Sequence, residues 1–463
     1  MYKEVITLGV MPTKRPTFSL ETATKEKDAL MPIFRAQMPE FVKLVDCDDI
    51  LAENNGMGAF PEDIDKVVAK FKANNVDALF FPFCDFGCEE VVVGVAKQFK
   101  LPVLVWGSRD KVSTWEHREK ETQCGLFAAT KVLRNYGVTF SYIFNCEKDS
   151  PVFVEGFEKF IRVASVLKSL RNLVVAEIGD RPPQFFSVIH NQLNLIRDFG
   201  ITVKPIAIAL VKERTEQILA EKGKALTDYY AEYTARIDCS RTEDEVVWKL
   251  LAFEMAVEQL MDEHGARCAA LDCPGLRNVL GLKSICAMQG ELTDHGYPTS
   301  CETDVWGAIG QLMCTAATLG TEAEFLADWT YRHPDNDNAE LIWHGGPFAY
   351  SLATKERKPR LIDGVSAWEM KQGDLTLMRM DEIDGEYFMF CGEGKTTTGP
   401  ETTGTYVWLE VDNWKRWEEK LMFGPYIHHV AGVYGKYLPI FREVARYLGV
   451  NFDTVDDKGP YSL

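Results

Sequence analysis

The feature that most constrains this chain is a series of short, largely apolar runs separated by stretches with a helical apolar period. Over the first 150 residues the runs are Val5 to Val10, Phe41 to Val45, Ala78 to Phe83, Val103 to Trp106 and Thr139 to Phe144. Strands lose polar alternation when both faces of their sheet are covered. Between the second and third runs, Ile64, Val67, Val68 and Phe71 of Pro61 to Ala73 fall on one helical face, with charges opposite. Pro61 suits a helix start and Asn74-Asn75 a helix end. Such strand–helix repetition predicts a doubly wound parallel sheet.

A second block of the same kind starts near Asn172. Leu173 to Ile178 and Ile201 to Ile208 read as strands, Lys212 to Arg236 and Glu243 to Glu263 as long helices, and Cys268 to Leu271 as a further strand. After about Tyr350 the pattern changes. Leu375 to Met380, Glu386 to Cys391 and Thr405 to Val411 read as strands of an antiparallel unit, with Asp384-Gly385 as a two-residue hairpin turn. A final helix, Pro439 to Leu448, ends at Gly449. The expected class is α/β: two doubly wound α/β domains, residues 1–171 and 172–350, followed by a C-terminal antiparallel β domain, 351–463.

Composition narrows the function. The chain has 51 Lys and Arg against 69 Asp and Glu, a net charge of −18. That balance speaks against nucleic acid and against anionic membrane as partners. No apolar run approaches the roughly 18 residues of a membrane span. The apolar stretch in MYKEVITLGVMPTKRP is too short for a signal peptide, so a cytoplasmic location is expected. The twelve cysteines then read as free thiols in a reducing compartment. The closest pair, Cys84 and Cys88, has neither zinc-knuckle nor redox spacing.

Two other motifs fail. Gly392-Glu393-Gly394-Lys395-Thr396 lacks the first glycine of a phosphate loop, which is Met389 here, and reads as a β-hairpin loop. Asp335-Asn336-Asp337-Asn338 lacks the central glycine and closing glutamate of a calcium loop and reads as a turn.

Imidazoles and carboxylates point elsewhere. His344 stands before Gly345-Gly346, which let a ligand approach the ring closely. His428-His429 follow Pro425-Tyr426, and on a strand their side chains point to opposite faces. In Ser300-Cys301-Glu302-Thr303-Asp304-Val305, Asp304 suits the cap of the helix that follows, whereas Glu302 precedes the cap and gains little there. Asp328 lies in Leu326-Ala327-Asp328-Trp329. Glu302, Asp328, His344 and one of His428 or His429 would form a mixed nitrogen–oxygen set. Such a set suits Mn²⁺, Mg²⁺, Co²⁺ or Fe²⁺.

The segment Cys301-Glu302-Thr303-Asp304-Val305-Trp306-Gly307-Ala308 resembles the glutamate motif of the L-fucose isomerase and L-arabinose isomerase superfamily. Asp328-Trp329, Trp343-His344-Gly345-Gly346 and the His428-His429 pair resemble its remaining ligand motifs, in the same order. The resemblance implies the same three-part architecture and a Mn²⁺ ion held by Glu302, Asp328 and His429. His344 would be the additional histidine of the arabinose branch. Met11-Pro12-Thr13-Lys14-Arg15-Pro16 resembles a family loop whose arginine, here Arg15, reaches a sugar site across a subunit boundary, implying a homotrimer or homohexamer. The family's tryptophan-containing substrate loop is replaced by Phe81-Pro82-Phe83-Cys84-Asp85-Phe86-Gly87, and the match around Met288-Gln289-Gly290 is loose.

The implied activity is interconversion of an aldose and a ketose, fucose- or arabinose-like or a modified hexose, through a metal-chelated enediol. A divalent ion fixes both sugar oxygens and stabilises the charge that develops on them. Glu302 and Asp328 would be the catalytic pair that moves the proton between C1 and C2. Gln289, Trp343, Tyr426, His428 and Arg15 would contact the substrate, while Trp306 fits ordinary core. Two rivals are a metal-dependent sugar lyase or epimerase on the same fold and a non-catalytic sugar-binding protein.

Overall fold

The apolar runs become strands in the computed structural model, which describes residues 5–110 and 120–457. The chain divides into two compact units, one ending at Lys168 and one starting at Ser169. In the first unit the strands are β1 (Ile6–Val10), β2 (Val42–Val45), β3 (Ala78–Phe83), β4 (Val103–Gly107) and β5 (Ser141–Tyr142). They form one parallel sheet in the order β2-β1-β3-β4-β5. Helix α1 (Asp63–Ala73) buries Val67 and Phe71 against it, on the face the sequence predicts. The fifth run is shorter than expected: Tyr142 and Phe144 face solvent, and only two residues pair with β4.

In the second unit, β6 (Val174–Ile178), β7 (Thr202–Ile206), β9 (Cys268–Leu271) and β10 (Thr299–Cys301) form a parallel sheet in the order β10-β9-β6-β7. Strand β8 (Asp238–Arg241) leaves this sheet for another. The single helix expected over Lys212 to Arg236 is two helices, because Lys222 turns into the left-handed region at φ 44° just before Gly223. Helices α2 (Asp244–His264), α3 (Cys273–Leu280), α4 (Cys286–His295) and α5 (Val305–Ala317) complete this layer.

The antiparallel part contains β11 (Glu324–Arg332), β12 (Ala339–His344), β13 (Arg360–Ile362), β14 (Val365–Glu369), β15 (Asp374–Ile383), β16 (Glu386–Thr397), β17 (Thr405–Glu410), β18 (His429–Tyr434) and β19 (Asn451–Asp453). Strands β16, β15, β18, β11, β12 and β17 pair in that order, and β16 also pairs with β17, so six antiparallel strands close on themselves. Closure removes the exposed edges that an open sheet would leave. Phe325, Ile342, Leu377, Phe390, Val407 and Val430 belong to one core cluster of these strands. Strands β11 and β12 lie upstream of residue 350, where the sequence places a boundary.

The Asp384-Gly385 turn has φ of 54° and 81°, the double positive that a type I′ hairpin needs. The glycine-rich stretch 392–396 lies inside β16, where Lys395 pairs with Asp374. It is a strand, not the loop the sequence suggested. Helix α5 is apolar nearly all round and packs against β9, β15 and β18, tying the parallel sheet to the closed one. Gly310 permits this: a Cβ there would stand 3.1 Å from the sulfur of Met378 and 3.3 Å from the Ala431 methyl. Among the described residues no helix is long and apolar enough to cross a membrane.

Candidate active site

The site lies where β10 ends, α5 begins, and β11, β12 and β18 come together. Beyond β10, Glu302 and Thr303 both take left-handed φ, 60° and 53°. Two successive non-glycine residues in that region cost about 1–3 kcal/mol each, and such outliers cluster at functional sites. The turn is held by Thr303 N–H donating to Leu271 O at 3.0 Å and Asp304 N–H donating to Cys301 O at 3.1 Å. It leaves the Glu302 side chain 24% exposed. One residue later Asp304 caps α5, accepting from Gly307 N–H at 3.0 Å, as the sequence predicts.

Asp328 on β11 and His429 on β18 sit directly opposite one another in the ladder, which places their side chains on one face. His429 Nε2 lies 3.2 Å from Glu302 Oε2 and 3.6 Å from Asp328 Oδ1. His344, at the end of β12, brings its Nε2 to 3.9 Å from the same Asp328 oxygen. The structure thus brings Glu302, Asp328, His344 and His429 together from three strands and a turn. His428 is exposed beside them, with a ring nitrogen within 4.8 Å of ligand atoms on Glu302 and His429.

Behind the cluster stands a chain of buried charge. His429 Nδ1 donates to Asp304 Oδ2 at 2.9 Å. Arg379, 3% exposed on β15, grips the same carboxylate with both terminal nitrogens and reaches Asp381 with Nε at 3.0 Å. Burial alone would raise the Asp304 pKa, but Arg379 and His429 outweigh it and hold the carboxyl well below its usual range. Burial likewise works to lower the His429 pKa, and the Asp304 bond together with the neighbouring carboxylates overcomes that and raises it to about 9. The Asp304 bond fixes the ring so that Nε2 faces Glu302 and Asp328, the arrangement in which a carboxylate orients a metal-binding histidine.

Three buried atoms in this cluster have no hydrogen-bond partner: Asp328 Oδ1, His344 Nε2 and His429 Nε2. Burying polar atoms without partners is costly unless something else satisfies them. Two of them, Asp328 Oδ1 and His429 Nε2, converge with Glu302 in surroundings of excess negative charge, a set that fits a divalent cation with oxygen and nitrogen ligands.

The cluster opens on a cavity of about 1050 Å³ whose wall includes Glu302, Trp343, His344, Arg241 and Arg277. Among the described residues, neither Arg241 nor Arg277 forms an ion pair or a side-chain hydrogen bond, although the chain as a whole is strongly acidic. Trp343 is held in the wall by its indole N–H, which donates to Thr403 O.

Two expected substrate contacts lie off the cavity wall. Tyr426 is 8% exposed, donates its hydroxyl to Asp453 Oδ2 at 3.0 Å and packs on Phe390, so it is core. Gln289 is fully buried and accepts from the Cys301 thiol at 2.9 Å, off the cavity wall. Arg15 belongs to the first unit, where its guanidinium lies 4.2 Å above the Phe86 ring and its N–H donates to Asp85. The sequence reading missed Arg379, although a lone arginine within Leu377-Met378-Arg379-Met380 signals a buried charge that needs a partner. It also missed Arg241 and Arg277, which sequence distance conceals.

Known proteins resemble the chain over most of its length. Residues 9–171 match the N-terminal domain of the fucose/sulfoquinovose isomerase family, and residues 363–456 match the C-terminal domain of L-fucose isomerase. A sulfoquinovose isomerase of Priestia aryabhattai is 26% identical, covering 96% of this chain and 98% of that protein. One from Alkalicoccus urumqiensis is 22% identical, covering 86% and 87% respectively.

Proposed function

The chain belongs to the fucose isomerase-like family of aldose–ketose isomerases, and we propose that it isomerises a sulfonated hexose with the help of a divalent ion. The observation that carries this reading is the convergence of unpartnered ligand atoms from Asp328 and His429 beside Glu302, which lines the cavity. Glu302, Asp328 and His429 hold the ion, Mn²⁺ in the first place, with Mg²⁺, Co²⁺ or Fe²⁺ as alternatives. When bound, such an ion stabilises negative charge developing on the two sugar oxygens. The chain's own residues do the rest. Glu302 and Asp328 flank His429 and supply the base that removes the proton and the acid that returns it to the neighbouring carbon. Asp304 and Arg379 keep the His429 ring in its tautomer.

His344 plays a different part from His429. Its Nδ1 accepts from Gly345 N–H at 2.7 Å, so the neutral ring carries its proton on Nε2. It therefore donates a hydrogen bond towards the substrate and does not ligate. Trp343 supplies an apolar wall beside it. Arg241 and Arg277 are unpaired planar forks whose N–H groups can grip two oxygens of a tetrahedral sulfonate at once, as they do those of a phosphate. The names of the relatives point to the same substrate class. The reading includes a homotrimer or homohexamer in the cytoplasm, with Arg15 serving a neighbouring subunit, which sedimentation of the wild type and an Arg15→Ala variant would test.

The experiment is a product assay on chelator-stripped enzyme refilled with Mn²⁺. Sulfoquinovose should give a ketose as sole product, with neutral hexoses turned over poorly. A C2 epimer or a cleaved fragment would instead support the rival reactions. Arg277→Ala and Arg241→Ala should each raise KM for the sulfonated sugar about tenfold, the equivalent of about 1.4 kcal/mol, and leave neutral sugars unaffected. Equal use of neutral sugars by all three proteins would defeat the assignment of the anion.

A further inference from the structure

Another cluster on the same cavity wall plays no part in the isomerase chemistry. Cys273 and Cys286 are the first residues of α3 and α4, and Cys301 is the last residue of β10. Their sulfur atoms lie within 4.8 Å of one another, with 3.2 Å between those of Cys273 and Cys301. All three are free thiols and all three line the cavity. A tetrahedral zinc site with Zn–S bonds of about 2.3 Å requires sulfurs about 3.8 Å apart, which lies within the spread seen here. Against the cluster lies Gln289, fully buried, whose amide nitrogen has no partner and whose oxygen is 2.9 Å from the Cys301 sulfur.

We propose that Cys273, Cys286 and Cys301 form a thiolate site for an ion of the zinc class, with its fourth position open to the cavity. Binding exchanges thiol protons for the cation and involves no change of oxidation state. Three sulfur donors select a soft or borderline ion, whereas the oxygen and nitrogen atoms around Glu302 suit Mn²⁺. Two sites of opposite hardness therefore share one wall, although Cys301 and Glu302 are neighbours in the chain. This assignment stands on the thiols alone and does not depend on the isomerase reading.

The test uses the full chain, reduced and stripped of metal, with Cd²⁺ as an optical probe. One equivalent should produce a sulfur-to-metal charge-transfer band in the near ultraviolet. Cys286→Ser should abolish that band, and the exposed Cys124→Ser control should keep it. X-ray absorption of the zinc-loaded wild type gives a readout independent of any variant's folding. It should show three sulfur neighbours at about 2.3 Å. Absence of the band at one equivalent, a band that survives Cys286→Ser, or zinc held only by oxygen and nitrogen would each overturn the site. Mn²⁺-dependent turnover is scored separately, so failure of one assignment is distinguishable from failure of the other.

Discussion

Two clusters in the second unit set a histidine among carboxylates, and they are wired differently. At His429 each ring nitrogen meets its own carboxylate, Asp304 on Nδ1 at 2.9 Å and Glu302 near Nε2 at 3.2 Å. At His295 two carboxylates, Glu254 and Glu258, converge on the single nitrogen Nδ1 at 2.8 and 2.7 Å. Both imidazoles are made more basic. Hydrogen bonds to Glu254 and Glu258 raise His295 to about 10, while at His429 the Asp304 bond and the neighbouring carboxylates act against burial and reach about 9. A raised histidine therefore does not by itself mark a site. What separates the two is the second nitrogen. His429 Nε2 is buried, without a hydrogen-bond partner and aimed at other such atoms, whereas at His295 both carboxylates are spent on Nδ1 and the side chain is 38% exposed.

The comparison breaks most decisively at His429. His429→Asn should weaken Mn²⁺ binding by more than about 100-fold, since loss of a ligand exceeds the loss of its orienting partner, and should abolish turnover. His295→Gln should leave Mn²⁺ affinity within about twofold, as expected for a residue outside the metal's shell. Calorimetric titration of both variants checks this, and parallel losses would erase the distinction.

Next comes Asp304→Asn, which keeps the side-chain shape but removes the charge that fixes the ring. Mn²⁺ affinity should fall about 10- to 100-fold. Arg379 would be left short of a partner in the interior, at a cost of about 3–5 kcal/mol in urea unfolding. The pH dependence has a definite sign. A carboxyl held below its unfolded value of about 3.9 contributes stability above that pH and loses it as the pH falls towards the depressed value. The wild type should therefore lose an increment of stability on the acid side that Asp304→Asn does not have to lose.

His344→Gln sharpens the contrast from the other direction. Loss of a residue that donates to substrate should lower kcat by about 100-fold or more, with Mn²⁺ affinity nearly unchanged in the same titration.

The smallest effect is at His295. Its folded pKa is raised above the unfolded value of about 6.5, so its stabilisation is complete below that pH and vanishes as the pH rises through about 10. With the ring 38% exposed, screening leaves about 1 kcal/mol. Wild type and His295→Gln should therefore differ in thermal unfolding at neutral pH and converge above pH 10.

Much of the scaffold was legible because covered parallel strands leave continuous apolar runs. Ala78 to Phe83 and Cys268 to Leu271 match their observed bounds. The closed antiparallel ring was not legible, because its closing pair, β16 with β17, depends on register across distant segments. Glu302, Asp328, His344 and His429 were found through motif resemblance, and the unusual place of Glu302 before its helix cap was a physical clue. Asp304 was read only as a cap, since one carboxylate's second bond across 125 positions leaves no local trace. The three clustered cysteines were passed over for the same reason: their spacing matches no metal motif, and only the meeting of β10 with the starts of α3 and α4 brings them together.

The most direct test of the central claim is solvent exchange. Wild-type enzyme, its chelator-stripped form and Glu302→Gln would each be incubated with sulfoquinovose in D₂O and followed by proton NMR. Deuterium should enter at the carbon adjacent to the carbonyl only with Mn²⁺ and an intact Glu302. Equal exchange by the stripped enzyme or by Glu302→Gln would contradict it.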